Sequence, residues 1–282
     1  MPSGQKEYRD RLFSFMFGNE EHRDWTLSLY NAVNGSNYTD PDQINITTIR
    51  QVLYLGMHND VSFMIAGEMN MYEQQSTYNP NMPLRMLQYA GSLYEKDITL
   101  RGKNKYSKSL VALPVPKLVV FYNGTAETPD ETVLRLKDAF PADKREDADI
   151  DVRVRLVNIN RGRSPRLMEA CRPLDEYAWI VARVRASEAR DGLETAIDRA
   201  IDDMPGDFVT KPFMEAHRAE VKTMLLTEYN EERQMELFKE EGQDMLGALI
   251  TKLLSQNRND DVARVASDPT YRKKMFEEFQ MA

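Results

Sequence analysis

Residues 60–75 carry the alternating pattern of a β-hairpin. An apolar side chain at every second position is typical of a strand with one buried face, and the first strand has such side chains at Val61, Phe63 and Ile65. Gly67 is the predicted turn, and residues 69–75 are the predicted returning strand. A pairing this local commits the chain to a β-sheet at this point.

The turn has two possible positions, and each sets a different register. With Ala66 and Gly67 in a two-residue loop, Asp60 lies opposite Glu73. With the loop one residue later, Asp60 lies opposite Gln75. In both registers these three polar side chains share one face of the sheet, because side chains two residues apart in a strand point the same way.

Two carboxylates on neighbouring strands need a compensating charge when they are directly opposed. The Cβ atoms of opposed residues lie about 5 Å apart, and like charges there are destabilising. A divalent cation is the simplest compensation, since Mg²⁺ prefers oxygen ligands and typically takes one or two protein carboxylates. The alternative interpretation is a solvated sheet face on which Asp60 and Glu73 hold no metal. The hairpin alone leaves both interpretations open.

Several short segments follow one another in the order of a known family's motifs. Glu73-Gln74-Gln75-Ser76, Met82-Pro83-Leu84-Arg85 and Tyr89 resemble the signature E-H-Q-S, M-P-x-R, Y of the recombination-promoting nuclease (Rpn) family. This family is also described as PD-(D/E)xK nuclease family transposases. The resemblance continues at Asp10, Phe13 and Phe17-Gly18, and in the segments 114–124 (PVPKLVVFYNG) and 158–179.

The resemblance implies a restriction-endonuclease-like α/β core and a metal-dependent DNA endonuclease. Asp60 matches the Asp of the PD-(D/E)xK pattern and Glu73 its second acid, whereas Asn59 replaces the Pro. Gln75 stands where the pattern has Lys, as is usual in this family, and it offers a dipole rather than a charge for orienting water. The implied metal is Mg²⁺ or Mn²⁺, held by Asp60, Glu73 and the main-chain carbonyl of Gln74.

Two further side chains are implied at the same site. Arg85 would contact phosphate or brace the acids. An acid from the first helix completes many sites of this fold. Asp10 matches the motif best, with Glu20 and Glu21 as alternatives, although Asp10 is equally suited to capping a helix. The alternative function is a non-catalytic scaffold of the same fold that binds nucleic acid, or protein partners through a helical tail.

The net charge of −8 is unevenly distributed. Residues 1–170 carry 21 basic and 22 acidic residues, a net of −1, and residues 171–282 carry 16 and 23, a net of −7. Two basic loops are the predicted DNA contacts: Arg101, Lys103, Lys105 and Lys108 in the first, and Arg161, Arg163 and Arg166 in the second. Ordinary solvated loop charge is the alternative. Since the first part is nearly neutral, we expect weak, metal-assisted binding.

The order of predicted elements divides the chain in two. Residues 1–173 are the predicted nuclease-like domain, with a helical segment up to Val33, three strands, a helix from Leu84 and further strands. Residues 174–282 are predicted to be helical and to mediate homo-oligomerisation, with a long charged helix from Phe213 to Lys239.

Composition excludes several classes of protein. No run approaches about 18 apolar residues and the N-terminus is polar, so neither a membrane span nor a signal peptide is expected. The single cysteine, Cys171, excludes an internal disulfide and favours a cytoplasmic location. The three histidines lack ligand spacing, which argues against a zinc site.

Overall fold

A computed structural model of the chain describes residues 11–47, 60–256 and 258–279. These residues form a mixed α/β fold around one six-stranded sheet. Its strands are β1 (Asn45–Ile46), β2 (Val61–Ile65), β3 (Glu68–Gln75), β4 (Val115–Tyr122), β5 (Glu131–Arg135) and β6 (Arg153–Asn158). Across the sheet the order is β1-β2-β3-β4-β6-β5. The central strands β3, β4 and β6 are parallel, whereas β1–β2, β2–β3 and β5–β6 pair antiparallel.

Ten α-helices lie in the described ranges: α1 (Leu12–Phe17), α2 (Arg23–Asn34), α3 (Met82–Leu100), α4 (Pro165–Ala170), α5 (Arg172–Asp191), α6 (Leu193–Asp202), α7 (Lys211–Ala216), α8 (Arg218–Ser255), α9 (Asn259–Ser267) and α10 (Pro269–Glu278). Gly35 ends α2 in the left-handed conformation. Pro83 lies in the first turn of α3, where its missing N–H costs nothing. The predicted order of helix, three strands, helix and strand is present, although the predicted first strand covered residues 44–55, of which 48–55 lie outside the described ranges.

Because β3, β4 and β6 are parallel, their last residues meet at one edge of the sheet. This carboxyl edge carries Gln75, Tyr122 and Asn158. The opposite, amino edge carries the starts of β3 and β4, Glu68 and Val115. Helix α3 leaves the carboxyl edge after β3 and returns the chain to the amino edge for β4.

The hairpin of β2 and β3 turns at Ala66 and Gly67, the first of the two predicted positions. Ile65 pairs with Glu68 across this loop, and both loop residues have positive φ, 51° and 77°. Such a two-residue loop matches the right-handed twist of the strands, with Gly67 adopting its conformation without strain. The register then runs to Val61 opposite Tyr72.

Strand β3 is buried on both faces. On the α3 face, Met69 and Met71 pack with Met82, Met86 and Leu93. On the other face, the ring of Tyr72 packs edge-on against Phe63 and Phe121, at centroid distances of 5.2 and 5.3 Å. A central strand of a parallel sheet is buried on both faces. The last residues of β3 therefore reach the carboxyl edge from within a packed core.

Gly124, in the FYNG turn after β4, marks a close approach between two chain segments. A β-carbon at this position would lie 1.7 Å from the carbonyl oxygen of Ser76 and 2.6 Å from the hydroxyl of Tyr122. Only glycine fits such a contact. The chain leaving β4 is therefore held directly against the chain leaving β3.

Two features differ from the sequence predictions. Strand β5 was not predicted; it pairs with β6 at the sheet edge, with Val133 exposed in its middle. The long helix predicted from Phe213 to Lys239 is divided at His217: α7 ends at Ala216, and α8 begins at Arg218 and continues for 38 residues to Ser255. Charged and apolar residues of good helix propensity fill this helix. Its two glycines, Gly242 and Gly247, do not interrupt it.

The chain divides into two compact units, Met1–Leu226 and Thr227–Ala282. The first includes the sheet, and the predicted division after residue 173 falls at the start of α5 within it. Tyr177 of α5 is fully buried, with its ring 5.8 Å from that of Phe13, so this helix is part of the sheet's core. The second unit has a small core of its own, formed by Leu249, Leu253, Val265 and Met275. Within the described ranges, none of the helices has the length and apolar character needed to cross a membrane.

Candidate active site

Asp60 and Glu73 are opposed at the carboxyl edge. Asp60 directly precedes β2, and continuing the register beyond Val61–Tyr72 places it across from Glu73. The Oδ2 atom of Asp60 accepts a hydrogen bond of 2.6 Å from the main-chain N–H of Gln74. This bond fixes the first carboxylate against the strand that carries the second.

Glu73 is an almost fully buried acid, with 4 % of its surface exposed. Its Oε1 atom forms an ion pair with Arg85, whereas Oε2 has no hydrogen-bond partner among the described residues. Burial raises the pKa of the Glu73 carboxyl to about 8; the negative charge of Asp60 adds to this shift, and the guanidinium groups of Arg85 and Arg11 oppose it. The buried lone pairs of Oε2 are thus open to a cation or a proton.

Arg85 supplies the positive charge of the site from α3. Its Nη2 atom donates to Glu73 and, at 2.9 Å, to the hydroxyl of Tyr89, one helical turn away. Its Nη1 atom lies 3.4 Å from the sulfur of Met82. The i, i+4 spacing of Arg85 and Tyr89 holds the guanidinium over the strand end. Motif residues 82, 85 and 89 therefore act together because they share one helix face.

Gln75 lies on the same side of β3 as Glu73, two residues further on. It is 7 % exposed, and its Nε2 atom donates to the sulfur of Met82 at 2.8 Å. Its Oε1 atom has no partner in the described part of the chain. Two side-chain oxygens, one from Glu73 and one from Gln75, are thus unsatisfied on one face, where the sequence predicted a metal site.

The side chain of Gln74 points to the opposite face of β3, and its polar groups are hydrogen-bonded within the protein. Its main-chain carbonyl, the predicted metal ligand, accepts a 2.8 Å hydrogen bond from Nη1 of Arg11. Its side chain donates to Oδ1 of Asn123 at 2.7 Å. The sequence did not identify Arg11 and Asn123 as site residues; the only signals for them were that Arg11 adjoins Asp10 and that Asn123 lies within the matched segment 114–124.

The predicted acid of the first helix is not placed by the structure. Asp10 lies outside the described residues. Of the alternatives, Glu20 is exposed and forms an ion pair with Arg23, and Glu21 is exposed in the same short 3₁₀ turn. Neither Glu20 nor Glu21 contributes to the charges that shift the Glu73 pKa.

The two basic loops lie at opposite edges of the sheet. Arg161, Arg163 and Arg166 follow β6 at the carboxyl edge, whereas residues 101–108 follow α3 at the amino edge. At 1.5 Å per residue, the 16 residues from Arg85 to Arg101 span about 24 Å along the helix. The first loop is therefore far from the opposed carboxylates.

Both loops are exposed, and part of their charge is already paired. At the amino edge, Arg101 pairs with Asp97 and Lys105 with Glu95. At the carboxyl edge, Arg161 pairs with Asp175 at 2.8 Å, and Arg163 lies 3.5 Å from Asp130. No ion pair is seen within the described ranges for Lys103, Lys108 and Arg166.

The residues present fit a metal with few protein ligands. In the described ranges, no group of three or more histidine, cysteine, aspartate or glutamate residues could hold a metal ion. Mg²⁺ needs no such cluster, because it commonly takes one or two carboxylates and completes its shell with water and phosphate. Asp60 and Glu73 provide that pair, and the unsatisfied oxygens of Glu73 and Gln75 are the observation that fits a cation.

Comparison with known proteins identifies no relative: no protein-family model, no curated protein and no solved structure matches the chain.

Proposed function

We propose that this chain is a metal-dependent DNA endonuclease of the recombination-promoting nuclease and transposase type, which hydrolyses phosphodiester bonds. The observation that carries the proposal is Glu73: a buried carboxylate opposite Asp60, with one oxygen that has no partner among the described residues. Burying a charge without full compensation costs several kcal/mol, and such arrangements cluster at functional sites. The motif resemblance gives this site its reaction class.

The arrangement of the sheet supports a restriction-endonuclease-like core. Helices α1 and α2, the antiparallel strands β1 to β3, helix α3 and the parallel strand β4 occur in the order that the family resemblance implies. Asp60 directly precedes β2, Glu73 and Gln75 lie in β3, and Arg85 comes from the helix that follows. One contiguous stretch, residues 60–89, thus contributes every residue of the proposed site except the undescribed first-helix acid.

Each side chain has a role that follows from its contacts. Asp60 and Glu73 would hold Mg²⁺ or Mn²⁺, which supplies a bound water of lowered pKa and neutralises charge on the scissile phosphate. Gln75 positions the attacking water through its unsatisfied Oε1. Arg85 pairs with Glu73, which favours the charged form of that acid, and it places a guanidinium where the phosphate charge increases, a task that Lys performs in the PD-(D/E)xK pattern.

Plasmid cleavage tests the proposal. Supercoiled DNA should be nicked or linearised with Mg²⁺ or Mn²⁺, and activity should disappear with EDTA or on Asp60→Ala. Cleavage that persists in EDTA contradicts the metal mechanism. If the folded wild-type protein cleaves no nucleic acid with either metal, the non-catalytic scaffold becomes the better interpretation.

We further propose that the chain forms homo-oligomers through its C-terminal helices. The second compact unit begins at Thr227, and the acidic residues of the chain are concentrated in residues 171–282. Sedimentation velocity of a variant ending at Leu226 should give a smaller oligomer than the full chain. This end point keeps the sheet and α5 intact, so a change in assembly is separated from a loss of the first unit's core. An unchanged oligomeric state would exclude residues 227–282 as the interface.

A further inference from the structure

A cleft of about 280 Å³ opens at the carboxyl edge, on the other side of β3 from Glu73. The ends of β4 and β6 and one face of α5 line it, among them Asn123, Asn160, Arg161, Ala178, Ala182 and Arg185. Open α/β sheets bind ligands in the crevice outside the carboxyl ends of their strands. The cleft has this position, and none of its residues belongs to the proposed metal site.

Asn123 connects the cleft to β3. It is 3 % exposed; Oδ1 accepts from Gln74, Nδ2 donates to the hydroxyl of Tyr177 at 3.2 Å, and its main-chain carbonyl accepts from Arg185. A single hydrogen bond therefore joins the wall of the cleft to Gln74. This residue lies between Glu73 and Gln75, whose side chains point to the opposite face of β3. The cleft and the Glu73 site therefore lie at the same edge of the sheet.

Two guanidinium groups give the cleft its charge. Arg185 is held by the carbonyl of Asn123 and, at 3.2 Å, by Oδ1 of Asn160. The side chain of Arg161 is half exposed, and its Nη1 atom pairs with one oxygen of Asp175. A guanidinium has five N–H donors in a planar fork that matches phosphate oxygens, so Arg161 can bind a second anion while paired.

The size of the cleft favours a small group. Whole small molecules occupy pockets of roughly 300–1,000 Å³, and this cleft is slightly smaller than that range. Ala178 and Ala182 are one helical turn apart on α5, and Arg185 follows three residues later on the same helix face. The two alanines leave room beside the guanidinium. A phosphoryl group with its water fits this combination of charge and volume.

We propose that this cleft binds a phosphoryl group of the DNA strand that enters the Glu73 site, with Arg161 and Arg185 as its contacts. The proposal rests on the endonuclease function proposed above, since the phosphate belongs to that substrate. A backbone phosphate held here anchors the strand on one side of β3 while the scissile phosphate lies on the other. Arg161 and Arg185 are thus positioning residues, which set the register of the strand.

DNA binding measured without cleavage tests this assignment. Fluorescence anisotropy of a labelled duplex in EDTA, at several KCl concentrations, should show about fivefold weaker binding for Arg161→Gln and a salt slope smaller by about one. Arg185→Gln should act in the same direction, with circular dichroism to check its fold. The matched control is Arg183→Gln, on α5 but paired with Asp203 outside the cleft, and it should bind like wild type. Asp175→Asn should strengthen binding, because it removes the anion that competes for Arg161.

The remaining outcomes separate this inference from the proposed function. Equal affinities and salt slopes for the Arg161 and Arg183 variants would overturn it. So would Arg161-dependent binding of inorganic phosphate by a protein that binds no DNA, since the cleft would then serve a free phosphate compound. Arg161-dependent DNA binding without any Mg²⁺-dependent cleavage would support phosphate binding in the cleft. It would count only against the proposed endonuclease activity.

Discussion

The two edges of the sheet carry similar kinds of residues but hold them in different ways. At the carboxyl edge, Glu73, Gln74 and Gln75 are all less than 10 % exposed and lie in a continuous set of contacts with Arg11, Arg85 and Asn123. At the amino edge, the loop after α3 is exposed throughout, with Tyr106 at 85 % and Leu110 at 99 %. Its ion pair between Lys105 and Glu95 lies in solvent.

This difference shows that the burial of charge distinguishes the edges better than the number of charges. An exposed ion pair contributes about 0–1 kcal/mol and needs no special explanation. A buried carboxylate is kept only at a cost of several kcal/mol, so its presence at the carboxyl edge calls for a function. Matched residues from the two edges should therefore respond differently to substitution.

The largest expected effect is on the acids. Glu73→Ala should lower the rate of DNA cleavage by more than about a hundredfold, since even residues that only support metal ligands contribute 10–100-fold. Glu95→Ala removes an exposed acid from the far end of α3 and should leave the rate unchanged. Single-turnover cleavage assays measure both. Similar losses for the two variants would mean that the edges do not differ in function.

The next effect concerns the cation of the carboxyl edge. Arg85→Gln should reduce cleavage by about tenfold to a hundredfold, because the guanidinium contacts Glu73 and is placed to stabilise phosphate charge. Gln75→Lys should be tolerated, and combined with Arg85→Gln it should recover part of the activity by returning a cation to the strand. Arg101→Gln, at the other end of α3, is the matched control. Failure of the double variant to recover any activity would show that Arg85 acts only as a brace.

A smaller effect should appear in stability as a function of pH. The pKa of Glu73 is raised from 4.5 to about 8 in the fold, so the native state binds more protons than the unfolded chain between these values. The free energy of unfolding of the metal-free protein should therefore fall, by roughly 3–4 kcal/mol, as pH rises from 5 to 8. Urea titrations with Glu73→Gln should show a flatter dependence over this window, and Glu95→Gln should match wild type. An equal slope in the Glu73 variant would contradict the assignment.

The smallest effect is expected from the basic loops. Replacing Lys103 and Lys108 together by Ala should change DNA affinity by less than about threefold, because both lie at the amino edge. Replacing Arg163 and Arg166 should have the larger effect and should reduce the salt slope by about two, one for each phosphate contact. Anisotropy titrations in KCl compare the pairs. The reverse order would place the DNA across the amino edge.

The sequence predicted the local parts of this molecule well. Hairpin alternation limited the register to two choices, and helical spacing placed Arg85, Gln88 and Tyr89 on one face, of which Arg85 and Tyr89 are hydrogen-bonded. Both depend on residues fewer than 20 positions apart, where backbone geometry alone decides which side chains meet.

The non-local parts were out of reach. The bond from Arg11 to the carbonyl of Gln74 joins residues 63 positions apart, and that from Gln74 to Asn123 joins residues 49 apart. Their formation depends on how α1 and β4 pack on β3, which periodicity does not specify. Strand β5 was missed because its short, mostly exposed pattern resembles a loop. The two basic loops lie at opposite edges because α3 runs from the carboxyl edge to the amino edge. The sequence pattern does not specify that direction.

The turn at Ala66 and Gly67 makes the site sensitive to insertions and deletions that never touch it. About 17 Å of strand separates the turn from Asp60, at roughly 3.3 Å per residue. A single residue added to this loop would shift the pairing by one and oppose Asp60 to a different neighbour, or turn Glu73 towards Tyr72's face. Loop length is usually free to drift between related proteins. In this chain the two-residue spacing of a surface turn is as much a determinant of the carboxylate pair as the acids are.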